Sequence, residues 1–124
     1  HPLARHRAIR LGQAENESFI TLMDTTGWRA ETEAFCLEAG FRPNVFYECD
    51  GCEMVAKLIA ASMGVGFLPT KSWGAFPDEV RLLRITDVSC ERKYNLSWHA
   101  GREHGYLVSE FRDYVVDFFA ALGD

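Results

Sequence analysis

The sequence predicts an α/β domain with a mainly parallel five-stranded sheet flanked by helices. Three observations predict it. Over residues 19–68, short apolar runs alternate with helical stretches in the order strand, helix, strand, helix, strand. That order calls for right-handed crossovers between parallel strands, with helices on both faces. Turn residues follow the strands and a glycine follows each of the first two helices. Finally, 124 residues that are 48% hydrophobic can bury a core without disulfides or metal.

The first strand is the run Phe19-Ile20-Thr21-Leu22-Met23, stopped by the turn cluster Asp24-Thr25-Thr26-Gly27. Residues 28–39 carry Ala30, Ala34, Phe35 and Leu37 among Glu31, Glu33 and Glu38 at helical spacing, with Gly40 where a C-terminal cap belongs. After Pro43, Val45-Phe46-Tyr47-Glu48 has strand composition. Asp50, three residues before Glu53, then makes a capping pair for a helix over residues 52–63. That helix puts Met54, Val55, Leu58, Ile59 and Met63 on one face and stops at Gly64.

Val65-Gly66-Phe67-Leu68 is the third strand, ended by Pro69, and residues 80–85 and 93–98 supply two more. A glycine-bounded loop over 101–105 leads to a last helix from about 109 to 122, whose Phe111, Val115, Phe118, Phe119 and Leu122 form a wide apolar stripe.

Charge and composition exclude whole classes of function. Thirteen Lys and Arg against 18 Asp and Glu leave a net charge of -5, and the local basic excess is confined to Arg5, His6, Arg7 and Arg10. Such a chain lacks the basic face that gives affinity for a phosphate backbone. Apolar runs are interrupted by Lys57, Ser62 or Asp117 well short of the ~20 residues a membrane helix needs, so no membrane role is expected. Cys36, Cys49, Cys52 and Cys90 are expected to be reduced, as in a cytoplasmic protein. The chain opens at His1 rather than Met, which leads us to expect part of a larger protein.

Several short motifs lack the context their chemistry requires. Gly64-Val65-Gly66 starts like a dinucleotide fingerprint, but Pro69 holds the third glycine position and the pair opens a strand, so no cofactor is expected; Gly66 instead lets a neighbouring backbone come close. Cys49-Asp50-Gly51-Cys52 has the spacing of a redox pair or half a zinc site. No second ligand pair exists among Cys36, Cys90, His1, His6, His99 and His104, so no metal is expected, and a structural role for the cysteines outweighs a redox one. No serine elbow, His-Glu-x-x-His or phosphate loop is present. Asp24 and His99 are the only catalytic candidates, each more simply a turn or loop residue, so no catalytic residue is assigned.

A different chemistry gathers where the strands end. Thr25, Thr26, Gly27 and Trp28, then Asp50 and Gly51, then Pro69, Thr70 and Trp73, then Trp98 and His99 place hydroxyl, small and aromatic residues along one sheet edge. In open α/β sheets ligands collect at that edge, and helix N-termini there offer N–H groups to anions. As a set they suggest a small-molecule cleft.

With those residues in place, the order of signals resembles the effector-binding domain of LysR-type transcriptional regulators across essentially the whole chain. His1-Pro2-Leu3-Ala4, Phe19-Ile20-Thr21-Leu22 and Ala34-Phe35 through Arg42-Pro43 all follow the family pattern. The most specific stretch is residues 60–69, with its Gly-x-Gly-x-x-Pro. The resemblance implies a periplasmic-binding-protein-like sensor of two α/β subdomains. Residues 1–18 would be the crossover from a first subdomain lying outside this chain, 19–100 the second subdomain, and 101–124 the loop and helix returning to the first. It also implies a homodimer or higher oligomer formed through the helix at 28–39 and the strand at 44–48, with Phe46 at the interface. DNA would be bound only through an amino-terminal domain absent here.

The peroxide-sensing branch of the family carries a cysteine matching Cys36, but Gly27 stands where its reactive cysteine would fall, so that mechanism does not transfer. The expected function is non-enzymatic sensing of a small molecule, such as a carboxylate, by Thr25, Thr26, Asp50, Gly51, Pro69, Thr70 and Trp98. Two alternatives come from other classes. One is the solute-binding protein of a transporter, and the other a thiol redox module using Cys49 and Cys52.

Overall fold

A computed structural model describes residues 1–23 and 27–122. They fall into two units, His1–Arg92 and Lys93–Asp124. In the first, the order is a 3-10 turn at Pro2–Arg5, β1 (Ala8–Ile9), a second 3-10 turn at Leu11–Ala14, β2 (Ser18–Leu22), α1 (Trp28–Glu38), β3 (Asn44–Cys49), α2 (Cys52–Ala60) and β4 (Arg84–Ile85). The second contains α3 (Tyr106–Leu122).

β2 and β3 pair in parallel, from Ser18 opposite Asn44 to Leu22 opposite Cys49, with an irregularity between Phe19 and Ile20. On the other side of β2, Ile20 N–H donates to the Val65 carbonyl at 2.8 Å and Val65 N–H to that of Ser18 at 2.9 Å. β2 is therefore central and buried on both faces. Phe19 joins Leu11, Ala14, Cys36 and Val88 in one cluster, whereas Ile20 joins Cys49 and Val55 in another. Burying such a side chain contributes about 1.5–3 kcal/mol. β1 and β4 form a second parallel pair, Ile9 opposite Ile85, and the Leu11 N–H donates to Asp87 Oδ1 at 2.8 Å beyond it.

Both crossover helices end in the same way. At α1, Gly40 takes a left-handed φ of 94°, with Gly40 N–H bonded to Leu37 O and Phe41 N–H to Cys36 O, each at 3.0 Å. At α2, Ser62 takes the left-handed position with φ 61°, with Ser62 N–H on Ile59 O and Met63 N–H on Leu58 O. This double bond pattern satisfies carbonyls that the helix leaves open. It also ends α2 at Ala60, earlier than the glycine at 64 predicts.

The sheet differs from the expected five strands. Four strands are found among the described residues, in two pairs, and the third expected strand is reduced to one bridge, Phe19 with Val65. Of residues 80–85 only Arg84–Ile85 pairs, and it pairs with β1, a two-residue strand too short to show in the sequence. Residues 93–98 form no strand. Their rings pack instead within the second unit: Tyr94 stacks on Phe119 at 6.5 Å, and the Arg112 guanidinium lies 5.7 Å over Trp98.

Burial also corrects the helix faces. In α1 the buried line is Trp28, Thr32 and Cys36, four residues apart, while Leu37 is exposed. In α2, Val55 and Ala56 are buried, while Met54 and Met63 are exposed. The Asp50 and Glu53 capping pair does not form: Gly51 is the N-cap, with no side-chain bond. α3 begins three residues before its expected start, and none of its residues is buried.

Candidate functional site

Parallel pairing sets the carboxyl ends of β2 and β3 side by side, and the Met23 N–H extends the ladder to the Cys49 carbonyl at 2.9 Å. The chain leaves β3 through Asp50 and Gly51 straight into α2, and α1 starts shortly after β2. Both helices therefore present their N-termini at one edge of the sheet. Their N-cap residues are glycines, Gly27 and Gly51, and neither supplies a side-chain cap. First-turn N–H groups left uncapped in this way, together with the helix dipoles, favour an anion.

A third piece reaches the start of α1. The turn after Pro69 is closed by Ser72 and Trp73 N–H groups on the Pro69 carbonyl, at 3.3 and 3.2 Å. It carries Trp73 to Trp28, ring centroids 5.7 Å apart. Arg92 also reaches Trp28, its guanidinium 5.2 Å from the ring centroid. Arg92 Nε also stands 3.6 Å from Glu31 Oε2. Trp28 is thus pinned, with 4% of its surface exposed. Sequence reasoning placed Trp28 and Trp73 on this edge but gave no signal for Arg92, which comes from a distant loop. A second missed contact is Arg29, paired with Glu33 on α1 and with Glu48 on β3. Only the four-residue spacing of Arg29 and Glu33 is visible in the sequence.

The predicted wall residues divide three ways. Asp50, Gly51, Pro69 and Thr70 lie at strand ends or in the turns that follow, with Asp50 and Thr70 exposed. Thr25 and Thr26, like Asp24, lie outside the described residues. Trp98 belongs to the second unit, against Arg112. His99 is in that unit too, its Nδ1 accepting the Gly101 N–H at 3.2 Å and its carbonyl 3.0 Å from His104 Nε2. A small cavity does exist in the first unit, but under α1, lined in part by Phe19, Thr21, Thr32 and Glu33, and by none of the predicted wall residues.

The thiols point away from redox chemistry. Burial, followed by the charge of Asp50, pushes the Cys49 thiol up, which disfavours the thiolate that a redox pair needs. Burial first, then Cys90 and Glu33, pushes Cys36 up to about 12. Burial first, with Glu38 and Asp87, pushes Cys90 up to about 11. All four cysteines are free. Among the described residues no group of three or more His, Cys, Asp or Glu could hold a metal ion, and no helix is long and apolar enough to cross a membrane.

Comparison with known proteins adds three findings. A family model described as LysR substrate binding domain matches residues 1–120. The chain is 27% identical over 120 residues to the "uncharacterized HTH-type transcriptional regulator YybE" of Bacillus subtilis (strain 168), covering 97% of this chain and 41% of that protein. It is 26% identical over 123 residues to the "transcriptional dual regulator GltC" of the same organism, covering 98% of this chain and again 41% of the relative. The chain thus spans about two fifths of the length of these regulators. Among solved structures, the effector binding domain of QuiR in complex with shikimate matches with a TM-score of 0.69 at 20% identity, covering 95% of this chain and 56% of that one. At that identity the likeness speaks for the fold.

Proposed function

The chain belongs to the LysR substrate binding domain family, and from that premise we propose that it is the effector-sensing part of a LysR-type transcriptional regulator, without catalytic activity of its own. A small molecule bound at the carboxyl edge of β2 and β3 shifts the arrangement of the sensor and so the oligomer that holds DNA. Such a shift requires the molecule to bind one arrangement better than the other. The carrying observation is the pair of helix N-termini at Gly27 and Gly51, uncapped by their N-cap side chains and set at the same sheet edge. Their N–H groups fit a carboxylate, and shikimate, bound by the QuiR domain, carries one. Thr25, Thr26, Asp50, Gly51, Pro69 and Thr70 form the wall in this reading, without Trp98, which belongs to the second unit.

In the same reading residues 1–18 cross from a first subdomain, 19–100 form the second, and 101–124 return toward the first, which covers the exposed apolar residues of α3. DNA is bound by an amino-terminal domain outside this chain, in the cytoplasm. Two copies meet through α1 and β3, where Phe46 is 59% exposed on a strand with no partner beyond it among the described residues.

The test is a thermal-shift screen of the complete protein against small carboxylates and their neutral amides. A carboxylate that raises the melting temperature should lose most of that effect in Thr26→Ala and Thr70→Ala. Unchanged affinity in both variants sinks the wall, and amides that match their acids sink the carboxylate.

A further inference from the structure

The cavity beneath α1 combines features that a purely structural gap does not require. Its floor is β2, with Phe19 and Thr21, and its roof is α1, with Arg29, Thr32 and Glu33. The centre of a water-sized sphere has about 10 Å³ of room in it, enough to admit one water. Thr21 is 7% exposed, and its Oγ1 is buried without a hydrogen-bond partner. A buried hydroxyl in that state is costly unless something satisfies it.

The roof offers what a bridging water needs. Thr32 is also buried, and its single hydroxyl proton is already directed at its own helix, toward the carbonyls of Trp28 at 3.1 Å and Arg29 at 3.0 Å. Its oxygen lone pairs remain able to accept. The Glu33 carboxylate is a second acceptor in the lining. Internal waters typically make two to four hydrogen bonds; Thr21 is the unsatisfied group here, while Thr32 and Glu33, although already bonded within α1, keep oxygen lone pairs able to accept.

We propose that this cavity is a binding site for one internal water, held by Thr21 Oγ1 and linking the central strand to α1 through Thr32 and Glu33. The site is independent of the effector edge and needs no effector to fill it.

High-resolution diffraction from crystals of the complete protein tests it with two variants. Wild type should show a water peak about 2.7–3.1 Å from Thr21 Oγ1, retained in Thr21→Ser, which keeps the hydroxyl, and lost in Thr21→Val, which keeps the shape. A wild-type cavity without the peak overturns the proposal, as does a Thr21 hydroxyl turned directly onto a protein acceptor. Persistence of the water in Thr21→Val, or its loss from Thr21→Ser, overturns the role given to that hydroxyl.

Discussion

Gly66 lies so close to Ile20 that a Cβ built on it would stand 2.6 Å from the Ile20 carbonyl oxygen. The strand segment at Val65 approaches β2 through two backbone hydrogen bonds, and glycines on either side of Val65 permit that approach. A Cβ on Gly64 would be tighter still, 2.4 Å from the Ser18 carbonyl oxygen. Gly66→Ala is therefore expected to destabilise the protein by about 1–3 kcal/mol, the cost of forcing backbone apart in a packed core. Urea unfolding should show the loss, while Gly105→Ala, where a Cβ meets nothing within 4 Å, should leave the midpoint nearly unchanged.

The two helix ends give opposite expectations. Ser62 holds a left-handed conformation that costs a residue with a Cβ about 1–2 kcal/mol. Ser62→Gly should therefore raise stability by up to ~1 kcal/mol, the gain being partly offset by the entropy of glycine. Gly40→Ala, at φ 94°, should lower it by ~1 kcal/mol or more. Equal midpoints for all three proteins would remove the role given to these caps.

Cys36 gives a pH dependence of definite sign. Its folded pKa of about 12 lies above the ~8.5 of a free thiol, so the unfolded chain releases the proton first. The contribution is fully present below pH ~8.5 and is lost as pH rises toward 12, at a slope of up to ~1.4 kcal/mol per pH unit. Unfolding of wild type and Cys36→Ala between pH 8 and 10 should show a shallower decline for the variant. Parallel curves would mean that Cys36 ionises in the folded protein as it does in the unfolded chain.

Phe46 tests the proposed pairing of copies. It is more than half exposed, with its ring edge-on to Tyr47 at 4.8 Å. Phe46→Glu should shift the sedimentation profile of the complete protein toward monomer with little change in thermal stability. An unaltered oligomer places the interface elsewhere.

Much of the first unit was legible in the residues. α1 begins at Trp28 and ends one residue before its expected boundary, because Gly40 accepts a φ that other residues resist. β2 was legible because a strand buried on both faces is a continuous apolar run. That Asp50 and Gly51 follow β3 directly was legible from the alternation of strand and helix. Other features were hidden for identifiable reasons. Thr32 lies on the buried face of α1 despite its hydroxyl, because that hydroxyl bonds to its own helix. Arg92, far along the chain, leaves no periodic trace of its contact with Trp28.

The sequence by itself determined the family, the alternation of strand and helix, and the acidic charge that leaves this chain without a basic face. These are local or additive properties, carried by spacing and composition. Tertiary structure decided which extended runs become strands, because a strand exists only where another backbone pairs with it. Val65 finds β2 because glycines flank it, residues 84–85 find β1, and residues 93–98 pack their rings on α3 instead. It also decided which hydroxyl is left buried without a partner: successive side chains on β2 turn to opposite faces, which puts Thr21 on the side of the cavity that α1 lines, and its Oγ1 meets no hydrogen-bond partner there.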